Sequence, residues 1–132
     1  MAQSGESSSD ALDVADAMRA MYAAAAVDDM DRLRDIFDDG FYAYDMGKRF
    51  DGMAMAELIK LAHAAGQVFV WEVNEPDVHV MGDWAWIAYV NRGSVTKGSE
   101  TQLVSWLESA ILRRHGAGWR IRFFHSTRVP AE

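Results

Sequence analysis

The stretch from Glu100 to Val129 constrains this chain more than any other. A long apolar run from Thr101 to Arg114 meets Gly116, Ala117 and Gly118, and a second run follows from Trp119 to Thr127. Two β-rich runs joined by a tight glycine turn read as a hairpin. A hairpin of this length and apolarity belongs in the middle of a sheet. With Gly116 and Ala117 as a two-residue loop, Arg114 faces Trp119, Leu112 faces Ile121, Ala110 faces Phe123 and Glu108 faces His125. Side chains alternate between faces. Trp106, Glu108, Ala110 and Leu112 therefore share a face with Trp119, Ile121, Phe123 and His125. That face is apolar except for one carboxylate set opposite one imidazole. The reverse face, with Ser105, Leu107, Ser109 and Ile111 beside Arg120, Arg122, Phe124 and Ser126, is mixed, as a half-solvated or subunit-facing surface would be.

Length and charge narrow the classes. The chain has 132 residues, enough for one domain with a real core and a small cavity. Its net charge of -7 argues against a nucleic-acid backbone or an anionic membrane as partner. It has no Cys, so disulfides, thiolate metal sites and cysteine nucleophiles are excluded. Residues 1–9 are small and polar, without the apolar segment of a signal peptide, and no later stretch reads as a membrane span. The expectation is a disordered tail over 1–9, one domain over 10–132 and a cytoplasmic location.

Along the chain, helices come first. Ser9 or Asp10 can cap a helix over about Ala11 to Ala26, with Ala15, Met18, Tyr22 and Ala25 at helical spacing. Asp28 or Asp29 opens a shorter helix that Asp38, Asp39 and Gly40 close. Phe41 to Asp45 reads as a short strand, Gly47 to Gly52 as a turn or small hairpin, and Met53 to Ala65 as a third helix stopped by Gly66. Strands are expected over Val68 to Val73, Val78 to Met81 and Trp84 to about Val95, with a bulge or bend at Asn74, Glu75 and Pro76. Helices followed by a mostly antiparallel meander imply an α+β fold.

The order of elements and three local motifs resemble the SnoaL-like and ketosteroid-isomerase-like branch of the nuclear transport factor 2-like (NTF2-like), cystatin-like superfamily. The motifs are Asp29 to Leu33 leading to Phe37 through Phe41, then Phe50 to Met53 opening the third helix, then Trp119 to Ile121 followed by His125, Ser126 and Thr127. The resemblance implies a cone: a curved sheet wrapped around helices, with a pocket at the open end. It also implies a homodimer formed through the sheet. It places Asp45 where ketosteroid isomerases carry a general-base aspartate. Their oxyanion-hole tyrosine falls at Met21, which has no proton to donate, with Tyr22 beside it. His125 matches a position often histidine in the SnoaL-like group.

Several residues could carry chemistry. A Glu108 carboxylate that orients the His125 imidazole would give a general base near neutral pH; equally, the two form a satisfied polar pair at the end of the core. Asp45 is either a base for a proton alpha to a carbonyl or a solvated strand-end residue beside Lys48 and Arg49. Tyr22, Tyr42, Tyr44, Trp71, Trp86 and Trp106, with Phe123 on the hairpin, could line a pocket for a flat apolar ligand or could be plain core. On the strand from Trp84, one face alone can line it: Trp86 with Ala88, or Ile87 with Tyr89. His63 and His79 read as exposed, and no metal centre or nucleotide fingerprint is expected. The function expected is binding of a small apolar or aromatic molecule. Cofactor-free acid–base catalysis (isomerisation, cyclisation or dehydration) would use Asp45 or His125 as base, with Tyr22 or Tyr44 steadying the oxyanion. A non-catalytic binding or dimerisation module is the alternative.

Overall fold

The computed structural model describes residues 8–130. Its elements run α1 (Ser8–Ala26), α2 (Met30–Ile36), β1 (Phe37–Asp45), β2 (Lys48–Asp51), α3 (Ala54–Ala64), β3 (Gln67–Val70), β4 (Asn74–Met81), β5 (Trp84–Lys97), β6 (Glu100–His115) and β7 (Gly118–Arg128). Ser8 and Ser9 belong to α1, and the rest of the expected tail lies outside the described residues. The architecture is α+β: a curled seven-stranded sheet in the order β2-β1-β7-β6-β5-β3, with β4 also paired to β5, and the N-terminal helices on its inner side. The long hairpin β6–β7 is central, as its apolar pattern requires. Every pairing is antiparallel except β1 with β7.

The inner face is built in rows. Ala85, Leu112, Ile121 and Phe37 are neighbours across β5, β6, β7 and β1. Further along the strands, past the irregular stretches of β7 and β1, Ile87, Ala110, Phe124 and Ala43 form a second row. Against these rows α1 lays Val14, Met18, Met21 and Ala25, and α2 lays Leu33 and Ile36, all buried. Asp29 caps α2: its carboxylate accepts from the Arg32 backbone N–H at 3.1 Å.

Three local departures from the expected elements matter. Asp38, Asp39 and Gly40 do not end α2. They lie in an irregular stretch of β1, where the register against β7 shifts between Phe37 and Tyr42 and Gly40 takes a φ of +76°. β3 stops at Val70 rather than Val73, and residues 71–73 leave the ladder before β4 begins. The chain passes so close to β5 there that a Cβ on Gly93 would lie 1.9 Å from the Val70 carbonyl oxygen, so only glycine fits.

The third departure lies in the hairpin. The two-residue turn sets Arg114 opposite Trp119 and Leu112 opposite Ile121, as expected. A bulge between Ile111 and Leu112 then shifts the register by one, so Ile111 faces Phe123, Ala110 faces Phe124, Ser109 faces His125 and Glu108 faces Ser126. Arg122 is the extra residue. Because side chains alternate, one inserted residue sends every later side chain of β7 to the opposite face.

Candidate functional site

The bulge builds the site. Beyond it, the third inner row reads Tyr89, Glu108, Ser126 and Asp45 across β5, β6, β7 and β1. This row is polar where the two rows before it are apolar. Strands lie about 4.8 Å apart, so Asp45 and Glu108, two strands from each other, have backbones about 10 Å apart. Tyr22 reaches the row from α1. Asn91, one step further along the inner face of β5, is wholly buried.

Glu108 is the hub of this row and is itself buried. Its Oε1 accepts from the Tyr22 hydroxyl and from Asn91 Nδ2 at 3.1 Å, and its Oε2 accepts from Ser126 Oγ at 2.7 Å. The Tyr22 and Tyr89 hydroxyls lie 2.6 Å apart. Asn91 is fixed at its other end, where its Oδ1 accepts from the Glu72 backbone N–H at 2.8 Å. Burial pushes the Glu108 carboxyl above its ordinary range, and the bonds from Tyr22, Ser126, Asn91 and Tyr89 offset part of that rise. Burial likewise holds the Tyr22 and Tyr89 hydroxyls well above the usual tyrosine value, so both stay protonated at neutral pH.

Asp45 differs. It ends β1, half-buried, beside Met46 in a left-handed conformation. Burial and then the charge of Glu108 push its carboxyl up to about 6, against the pull of the Met46 backbone N–H and of His125. Its protonation therefore changes close to neutral pH, as a general acid or base requires.

Both carboxyls line one cavity of about 860 Å³ at the open end of the sheet, bounded by α1, α3, β1 and β3 as well as by β6 and β7. Its walls are mainly apolar and aromatic: Tyr22, Phe41, Phe69, Trp71, Trp106 and Phe124 contribute to them. Trp71 packs on Tyr22 with ring centroids 5.5 Å apart and stacks on Phe69 at 5.4 Å, which fixes that wall. α3 closes the cavity from above with Met55, Leu58, Ile59 and Ala62.

The structure brings together Asp45, Glu108, Tyr22, Trp71 and Trp106 from the residues singled out in the sequence. It turns Phe123, Tyr44 and Trp86 away. The expected Glu108–His125 pair is not formed: the bulge puts Ser126 opposite Glu108 and turns His125 toward the outer face, exposed and edge-on to Tyr44 at 5.9 Å, while His125 still borders the cavity and its charge acts on Asp45. Phe123 goes with it and packs on Tyr42 at 5.0 Å and on Tyr44 at 5.3 Å. Trp86 also faces outward, where it stacks on His79 at 4.1 Å. Phe123, Tyr44 and Trp86 are therefore outer-face residues, and the inner face of β5 is Ile87 with Tyr89. His63 is half-buried rather than exposed: its Nδ1 meets the Asp28 carboxylate at 3.0 Å. Tyr89 was one of two alternatives for the inner face of its strand; Asn91 and Ser126 were missed. Asn91 carried a signal, because it continues the alternation of Ile87 and Tyr89 on an otherwise apolar face. Among the described residues, no cluster of three or more His, Cys, Asp or Glu is placed to hold a metal, and no helix is long and apolar enough to cross a membrane.

Comparison with known proteins agrees with this fold. The family model of the SnoaL-like domain matches residues 14–132. The chain belongs to the SnoaL-like family. No curated protein matches it. Among solved structures, this SnoaL-like domain is similar to a candidate dehydratase of the NTF2-like family from Streptomyces avermitilis, with a TM-score of 0.78 at 19% identity over 93% of this chain and 98% of that one. It is also similar to a ketosteroid isomerase-like protein from Erwinia carotovora atroseptica, with a TM-score of 0.74 at 17% identity over 95% of this chain and 100% of that one. The CaMKII hub of S. rosetta matches with a TM-score of 0.75 at 17% identity over 97% and 100% of the two chains. At these identities the likeness speaks for the NTF2-like, cystatin-like fold.

Proposed function

We propose that this SnoaL-like domain binds a small apolar or aromatic molecule in the cavity and that Asp45 exchanges a proton with it, without a cofactor. The reaction class is isomerisation, cyclisation or dehydration. One observation carries the reading. Two carboxyls share an apolar cavity in one row of the sheet, one tied down by its donors and the other left to titrate near neutral pH. Glu108 acts in this reading as a fixed buried charge that raises Asp45, not as an orienter of His125. Tyr22 places Glu108 and is not free to donate to an oxyanion.

A non-catalytic binding module is the second reading. The commitment of the Tyr22 and Ser126 hydroxyls to Glu108 favours it, because no preformed oxyanion hole is left in the row.

The test is a panel of small aromatic compounds incubated with the protein in deuterated water and followed by NMR. Shifts of amides that line the cavity report binding. Deuterium entering a carbon position reports proton transfer. The expected result is binding with incorporation in the wild type, and binding without incorporation in Asp45→Asn. Binding with no incorporation by any compound would leave the binding module standing. No binding at all would overturn both readings.

We also infer that two copies pair through the outer face of the sheet. The row Trp86, Ile111, Phe123 and Tyr42 is continuous across four strands, and Trp84, Trp86, Ile111 and Leu107 are all exposed there. Light scattering at micromolar concentration is expected to give twice the chain mass, and a monomer would refute the pairing.

A further inference from the structure

We infer that the cavity selects a ligand whose polar head is a hydrogen-bond donor, a hydroxyl or an amine, seated against Asp45. This rests on the small-molecule reading of the cavity and names the class of molecule that the site takes.

The argument is an accounting of protons. Glu108 receives donors from Tyr22, Asn91 and Ser126. An ionised carboxylate only accepts, so this set fits the charged form. A hydroxyl has one proton. Tyr22 spends its own on Glu108, and Tyr89, 2.6 Å from Tyr22 and itself bonded to Glu108, directs its proton to that carboxylate or to Tyr22. Ser126 spends its proton on Oε2. Every hydroxyl proton of the polar row therefore runs inward to Glu108, directly or through Tyr22.

What the row presents to the cavity is acceptors. Asp45 takes a backbone N–H from Met46 and keeps the rest of its carboxylate lone pairs. Tyr22 and Ser126, which line the cavity, have lone pairs but no proton to offer. A ligand carbonyl placed against this row finds no donor there, and a ligand carboxylate also meets the charges of Asp45 and Glu108. Either would lose its hydration without replacement, which costs affinity. A head that donates exchanges its water bond for a charge-assisted bond to Asp45.

The donors elsewhere in the lining, Gln67, His125, Thr127, Lys97 and Arg128, lie outside the polar row. Lys97 and Arg128 are the last residues of β5 and β7, both exposed, and Arg128 donates to Gln102 at 3.3 Å. They stand at the rim, while the acids stand in the row. The aromatic walls at Trp71, Phe69 and Phe124 suit a flat body behind the head.

Four probes of nearly one shape decide the point: 2-naphthalenemethanol, 2-naphthalenemethylamine, 2-acetonaphthone and 2-naphthoate. Each is titrated into isotope-labelled protein at pH 7.5, where Asp45 is ionised, and a dissociation constant is taken from the amides that line the cavity. The alcohol and the amine are expected to bind about tenfold or more tighter than the ketone and the carboxylate. An amine ahead of the alcohol would show that charge adds to the donor, and equal affinity would show that the donor alone suffices; both outcomes support the inference. In Asp45→Asn, which adds an amide N–H donor, the gap between alcohol and ketone is expected to close. A ketone or carboxylate that binds the wild type as tightly as the alcohol overturns the inference and leaves small-molecule binding intact. If none of the four moves a cavity amide, the inference and the binding reading both fall.

Discussion

The second and third inner rows of the sheet are two residues apart and made by the same four strands, yet they do opposite work. Ile87, Ala110, Phe124 and Ala43 are all buried and carry no polar side-chain atom. Tyr89, Glu108, Ser126 and Asp45 carry a polar group on every strand. The first of these rows is closed over by α1 and serves the core. The second borders the cavity and binds its polar groups to one another. The difference teaches where a small fold can afford polarity: at the level where the cone opens, and only with nearly every proton assigned.

That contrast can be broken from either side. The largest effect is expected on the apolar side. Leu112 is fully buried in the row nearest the turn, and Leu112→Ala should cost about 2–5 kcal/mol in denaturant unfolding. A loss under about 1 kcal/mol would mean that this end is not closely packed. On the polar side, Ser126→Ala removes one of the donors that hold Glu108 and should cost about 1.5–3 kcal/mol. Its stability loss should shrink in a Glu108→Gln background, because the two act on one charge. Additive losses would show that the row is not a unit.

The smallest effect is a dependence on pH. The Asp45 carboxyl moves from an ordinary value of 3.8 to about 6 in the fold. The folded state thus holds this proton more tightly than the unfolded chain. The stability that comes from it is fully present below about pH 4 and is lost as pH rises through about 6. Asp45 is half-exposed, so after solvent screening the amount is on the order of 1 kcal/mol. Asp45→Asn should therefore gain on the wild type between these pH values, as followed by thermal unfolding. A gain by the wild type instead would reverse the sign of the shift.

Much of the fold was legible because it rests on local chemistry. The Gly116–Ala117 turn set the first part of the hairpin register, glycine and proline marked the breaks around α3 and β4, the order of elements implied an α+β fold, and the resemblance to the SnoaL-like group implied a cone. The site was legible only in part. Glu108, Tyr22, Asp45, Trp71 and Trp106 were named and meet at the cavity. The bulge at Arg122 was invisible, since no glycine or proline marks it. From that point every inference by alternation was inverted, so His125 and Phe123 were set on the inner face in place of Ser126 and Phe124. Tyr44 and Trp86 were assigned to the pocket on aromatic character alone, which suits the outer face of the sheet as well as the inner one.

The most direct measurement is the titration of the Asp45 side-chain carboxyl carbon by NMR, in the wild type and in Glu108→Gln. The polar row predicts a wild-type midpoint at about 6 and a lower midpoint in the variant, where burial still acts but the neighbouring charge is gone. A wild-type midpoint in the ordinary aspartate range, or one that the substitution leaves unchanged, would contradict a row in which Glu108 holds Asp45 ready to exchange a proton.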